Sequence, residues 1–287
     1  MTHPSQGDHP SPGTPLPEHC GVVVLDQEAF TQQPGSIQAE LAATASKLAD
    51  EALSRAGLES LRANKLFPRD NGDGLVFGCA QGYLPGLLDR FLPELQNGLT
   101  RYNSAAGGRR LRLRLRVAIG SGPLSAGGEP GDGYGAARNE AHRLVDATVL
   151  KWAMAEASPN ATHLGAIVSD RVFQDVVIAG YCSLHPDRFI KVIATVPGKT
   201  FDAPAWIHVP APSGGLLTVP PPLPCPPSGT AEGIALPEGD DPGRAHGSRV
   251  RTESVQHVGQ GMALTHGSTG NVNLSFTTTA ERPGRRR

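Results

Sequence analysis

The chain has 287 residues, a formal net charge of −1, 38% hydrophobic residues, and 35 Gly and 26 Pro concentrated toward its two ends. That balance predicts one core of medium size with poorly ordered flanks, and it gives no global drive toward nucleic acid or an anionic membrane. The four cysteines, Cys20, Cys79, Cys182 and Cys225, stand far apart without metal-ligand spacing, which argues against a zinc module or a disulfide framework.

No apolar run approaches the roughly 20 residues of a spanning helix. No cationic patch precedes an apolar run near the N-terminus, so no signal peptide is expected and the expected location is the cytoplasm. Residues 1–20 read as a Pro/His/Ser/Gly leader with nothing to bury. Gly21 to Leu25 is an apolar, β-branched run that ends on Asp26, the pattern of a central strand carrying a carboxylate at its end. From Ser36, apolar residues at Ile37, Leu41, Ala45, Leu48 and Ala52 predict a helix with Ser36 as cap and Gly57 as stop.

Asn71-Gly72-Asp73-Gly74 is a tight-turn signal before the strand Leu75 to Phe77, so Asp73 should sit near a hairpin tip. Following an earlier strand-end acid, it makes a paired carboxylate site worth considering. Leu84 to Leu99 carries a second amphipathic pattern, with Pro85 and Pro93 limiting its regularity. Residues 111–117, LRLRLRV, alternate strictly and predict a half-buried strand with Arg112, Arg114 and Arg116 on a solvated outer face.

Residues 132–147, DGYGAARNEAHRLVDA, open as a glycine-rich loop and close as an amphipathic helix. Asn139 and Arg143 are four apart and share a helical face, where an amide and a guanidinium can reach a polyphosphate together. That helix is expected to run on through Val149, Trp152 and Met154. A strand at 163–169, a short helix at 170–179 and a closing β pair, with Lys199 in its turn, complete a core from about 20 to 210. The fold class expected is α+β: one mixed, mostly antiparallel sheet with helices packed on one face. Residues 211–253 read as a Pro/Gly-rich linker. The Gly/Asn/Gln-rich stretch 254–276 reads as a segment able to assemble as cross-β, and 277–287 as a basic tail.

Within residues 21–210 the pattern resembles the catalytic domain of class III nucleotide cyclases, closest to an actinobacterial cyclase-like group and more loosely to the pyrimidine cyclases of anti-phage signalling. The matching positions are Asp26, followed by Ala29-Phe30-Thr31 where the family has Gly-Phe-Thr, and then Gly72-Asp73. The family's helix motif is met by Gly135, Asn139, Arg143 and Leu144, and its phosphate lysine by Lys199, with Lys191 as the alternative.

The resemblance implies a ferredoxin-like core and a homodimer with shared active sites. It also implies an NTP substrate and two divalent cations (Mg2+ or Mn2+) held by Asp26 and Asp73. Asn139 would orient the ribose, and Arg143 and Lys199 would stabilise phosphoryl charge. The family's base-selecting positions fall on Arg69 and Asp132. Arg69 is neither the lysine typical of adenylate cyclases nor the glutamate of guanylate cyclases. A forked, bulky donor favours a small base with carbonyls, UTP or CTP. A cyclic pyrimidine nucleotide would then act on a separate effector protein in anti-phage defence. The alternatives are an adenylate cyclase with an unusual pocket and a catalytically silent scaffold with a self-assembling tail.

Overall fold

The structure, a computed structural model, describes residues 16–105, 112–125 and 132–218. The leader before residue 16, the linker beyond 218, the stretch 254–276 and the basic tail 277–287 lie outside the described residues.

The order of elements is β1 (His19–Gln27), α1 (Gly35–Arg55), α2 (Glu59–Ala63), β2 (Leu66–Asp70) and β3 (Gly74–Ala80). A helical turn α3 (Leu84–Gly86) passes through a π-helical segment, Leu87–Phe91, into α4 (Leu92–Ala105). Then come β4 (Leu115–Pro123), α5 (Ala136–Val145), α6 (Thr148–Glu156), β5 (Leu164–Ser169), α7 (Asp170–Val172), β6 (Ile190–Thr195) and β7 (Asp202–His208). The strands form one seven-stranded sheet in the order β2-β3-β1-β4-β5-β7-β6. Only the β4–β5 pairing is parallel. The mixed, mostly antiparallel α+β expectation is borne out.

The helices occupy both faces of the sheet, not one. Val23 and Leu25 pack with α1 and α4 through Ala49, Leu53, Leu92 and Leu95. Val22 and Val24 point the other way and pack under α5 and α6 with Ala141, Leu144 and Leu150. An unbroken run of β-branched residues in β1 needs two apolar covers, because successive side chains face opposite sides. Each such residue, fully buried, contributes about 1.5–3 kcal/mol.

Four local expectations also change. His19 and Cys20 belong to β1 rather than to the leader. Ser36 makes no cap, since the residue before α1 is Pro34 and no side-chain cap bond forms there. Gly57, at φ 68°, does end the helix, and Leu58 N–H returns to Leu53 C=O at 2.9 Å. The helix expected from 136 onward breaks at Asp146-Ala147, where Ala147 is extended. The break lets α5 lie on β1 and β4 while α6 turns onto β5 and β6. Finally, residues 211–218 stay on the fold instead of opening a linker. Thr162 and Ser213 hydroxyls meet at 2.7 Å, and Leu216 packs against the α5/α6 core.

Candidate functional site

The two acids are brought together by the sheet itself. Asp26 lies in β1 opposite Gly74 of β3. The Gln27 N–H donates to the Asp73 carbonyl at 3.0 Å, which pins the hairpin tip to the end of β1. The approach is close enough to require a glycine. A Cβ on Gly74 would stand 2.3 Å from the Leu25 carbonyl oxygen. In the turn, Asn71 N–H donates to Gly74 C=O at 2.9 Å and Gly72 N–H to the Asp70 carboxylate at 2.7 Å.

Arg112 of the alternating stripe is exposed, as expected, but Arg114 and Arg116 are not solvated. Arg114 and Arg116 face the side covered by α5 and α6, and their side chains are only 11% and 12% exposed. Arg114 pairs with Glu28 at 2.6 Å and donates to the Met154 and Thr162 carbonyls. Arg116, directly across the β1–β4 pairing from Asp26, forms an ion pair with its Oδ2. Burial pushes the Asp26 carboxyl above its usual range. Arg116 opposes that without cancelling it, and the charges of Asp73 and Asp146 add to the rise.

A carboxylate pair of this kind suits a hard divalent cation whose remaining ligands come from substrate phosphates and water. Asp26 keeps Oδ1 clear of the Arg116 contact. Among the described residues no group of three or more His, Cys, Asp or Glu side chains could hold an ion unaided.

Ala29, where the resembled family has glycine, sits at φ 57° and ψ 24°. The backbone keeps the left-handed turn that glycine adopts without cost and an L-residue adopts with strain. It leads into the short 3-10 turn Phe30–Gln32 that follows the acid strand.

The second group of residues surrounds the start of α5. β2 is irregular between Leu66 and Arg69, and Phe67 there has φ 34°. Its ring fills the space over Gly133, where a Cβ would come within 2.4 Å of the ring. That contact draws the loop before α5 against β2. Arg69 thereby donates to the Asp132 backbone carbonyl at 3.5 Å and to the Tyr134 hydroxyl. Asp132 is 6% exposed, and its carboxylate accepts from the Ser125 hydroxyl at 2.5 Å. Arg69 and Asp132, singled out separately in the sequence, are therefore neighbours.

Two residues passed over in the sequence join them. Tyr134 is 59% exposed, with the Arg69 guanidinium 4.4 Å and the Arg138 guanidinium 5.3 Å from its ring centre. Arg138 is 7% exposed, and its Nη1 is buried without a hydrogen-bond partner among the described residues. Its position beside Asn139 on an amphipathic helix was the available signal, since charge on the inward face asks for a reason.

Asn139 and Arg143 are exposed along α5, one turn apart. Arg143 lies 5.4 Å from the Phe201 ring centre, and Asn139 makes no side-chain hydrogen bond among the described residues. Lys199 is exposed in the β6–β7 turn, its N–H bonded to Val196 C=O at 3.1 Å. Lys191 lies away from it on β6, its ammonium 5.6 Å from the Trp206 ring centre. The half-buried His142 is held below its usual pKa by burial first and by Arg138 next. Asp146 opposes, Lys199 lowers it further, and Asp73 opposes. Asp73 and Lys199 thus both act on His142 of α5.

No protein-family model matches the chain, and no curated protein does. Solved structures similar to it include the guanylyl cyclase Cya2, at 14% identity over 69% of this chain and 93% of that one, with a TM-score of 0.46. The adenylyl cyclase CyaB from P. aeruginosa is 14% identical over 67% and 93%, with a TM-score of 0.44. A bacterial light-regulated adenylyl cyclase is 13% identical over 71% of this chain and 55% of that one, with a TM-score of 0.49. Among the described residues no helix is long and apolar enough to cross a membrane.

Proposed function

We propose that this protein is a nucleotide cyclase that converts an NTP into a 3′,5′-cyclic nucleotide and pyrophosphate. The observation that carries the proposal is the acid pair Asp26/Asp73, fixed to one sheet end by a backbone bond, in a chain whose α5 also presents Asn139 and Arg143 outward. Asp26 and Asp73 would hold two divalent ions, Mg2+ or Mn2+, which when bound lower the pKa of the ribose 3′-hydroxyl and engage the triphosphate.

The new bond runs from the 3′-oxygen to the α-phosphorus. The bond from that phosphorus to the bridging oxygen breaks, pyrophosphate leaves with the electron pair, and the hydroxyl proton passes to solvent. Asn139 would accept from and orient the ribose. Arg143 and Lys199 would meet charge on the phosphoryl oxygens as the bond to pyrophosphate lengthens.

Asn139 and Arg143 are exposed and have no hydrogen-bond or ion-pair partner for their side chains among the described residues. This supports a head-to-tail homodimer in which the acids of one protomer face the α5 cations of the other. Arg69 and Asp132 would line the base pocket, with a pyrimidine, UTP or CTP, as the substrate. The cyclic product would act as a messenger on a separate effector, a role compatible with anti-phage defence.

Complementation tests both the activity and the sharing. Asp73→Ala, inactive alone, and Arg143→Ala, about a hundredfold slower alone, should regain activity when mixed, because one heterodimer site keeps both groups. A mixture no more active than the Arg143→Ala variant it contains would contradict a shared site.

A further inference from the structure

Arg69 is the residue that the sequence offers as base reader, yet each of its terminal nitrogens already donates inside the protein. Nη1 goes to the Tyr134 hydroxyl and Nη2 to the Asp132 carbonyl. The guanidinium carbon also sits 4.4 Å from the centre of the Tyr134 ring. Arg69 is therefore engaged in holding Tyr134.

Arg138 is the opposite case. It is 7% exposed, its guanidinium rests near the same tyrosine ring, and its buried Nη1 has no acceptor among the described residues. A buried, unpaired N–H on a charged group is costly, so it is retained where something else supplies the acceptor. The second guanidinium, Arg69, stands on the same ring, and its charge works against that of Arg138. Two like charges beside one aromatic ring favour a ligand that brings acceptors, not donors.

Resting on the cyclase reading above, we propose that Arg138 is the specificity residue for the base. Its Nη1 donates to a nucleobase carbonyl beside Tyr134, and Arg69 acts as a positioning residue that fixes the tyrosine. Uracil, with two carbonyls, suits this donor. The amino groups of adenine and cytosine would meet it donor to donor.

The test is base preference. Wild type and Arg138→Met, which keeps an unbranched apolar stem and removes every donor, receive an equimolar mixture of the four NTPs with Mn2+. Cyclic products are counted by mass spectrometry. Affinities for UTP and ATP are measured calorimetrically with Ca2+, and circular dichroism checks folding. Arg138→Lys, which keeps the charge but loses the fork, is carried in parallel in case the Met variant is unfolded.

The expected result is a wild-type preference for UTP whose ratio to ATP falls about tenfold or more in either folded variant. Arg69→Met should shift the ratio less. An unchanged ratio in a folded variant, or a wild-type preference for ATP, would overturn the role of Arg138 and leave the cyclase reading standing. No cyclic product from wild type would overturn the cyclase reading instead. Calorimetry then decides for Arg138: tighter UTP than ATP binding, lost in the variants, supports it, and equal binding rejects it.

Discussion

The acid corner and the outer face of α5 are built on opposite plans. At the acid corner the backbone and one carboxylate oxygen are already tied. Asp73 is fixed through its backbone to Gln27, and Asp26 is paired to a mostly buried Arg116. On α5, Asn139 and Arg143 are exposed and have no polar partner in the described residues beyond the aromatic face of Phe201. The first region is pre-organised and carries its own counter-charge. On the proposed function, the second meets the partner protomer, and a shared-site dimer would account for one chain carrying both.

Removing an acid should break the comparison most completely. Asp73→Ala is expected to abolish cyclic product in a four-NTP assay while leaving the melting temperature nearly unchanged, because Asp73 is a turn residue outside the core. Next is Arg143→Ala, which should lower kcat about a hundredfold, with a smaller change in KM, if the guanidinium acts on charge that grows only during reaction. A comparable loss in Arg116→Met would mean that the two corners are not functionally distinct.

Arg116→Met addresses the resident counter-charge. Asp26 and Arg116 are 20% and 12% exposed, so removing one partner leaves a mostly buried charge alone. Urea unfolding at pH 7 should show a loss of about 3 kcal/mol.

The acid corner should also respond to cation and pH together. Burial holds Asp26 above its usual range, so the folded chain binds that proton more tightly than the unfolded chain. Stability therefore falls as pH climbs from the ordinary carboxylate range through the folded value, and the full cost remains above it. Mn2+ bound at the pair offsets this cost. It should raise Tm by about 2–6 °C at pH 8 and by less at pH 5, with no effect in Asp73→Ala.

The smallest expected effect is Ala29→Gly. It relieves a left-handed alanine at φ 57° and should change stability by only about 0.5–1 kcal/mol in the stabilising direction, with activity retained.

Much of this was legible along the chain. The turn residues Asn71 to Gly74 marked the hairpin, and the four-residue spacing of Asn139 and Arg143 marked one outward helical face. The two-sided cover of the sheet was also written in β1, since Val22, Val23, Val24 and Leu25 leave no polar face to expose. What local pattern could not carry was pairing over distance. Arg116 reads as surface charge in LRLRLRV because its acid lies 90 positions away in sequence. Likewise Arg138 comes beside Tyr134 and Arg69 through the packing of Phe67 against Gly133, which no local pattern shows. The same lack of tertiary information hid the break between α5 and α6, since Asp146-Ala147 contains neither glycine nor proline.

The most direct test of the central claim is incubation of the protein with Mn2+ or Mg2+ and each of the four NTPs separately. Products are read by mass spectrometry beside an Asp73→Ala control. A cyclic nucleotide with stoichiometric pyrophosphate, absent from the control, is the predicted result, with UTP the preferred substrate. No cyclic product from any NTP, with either metal and with the dimer verified in solution, would contradict it.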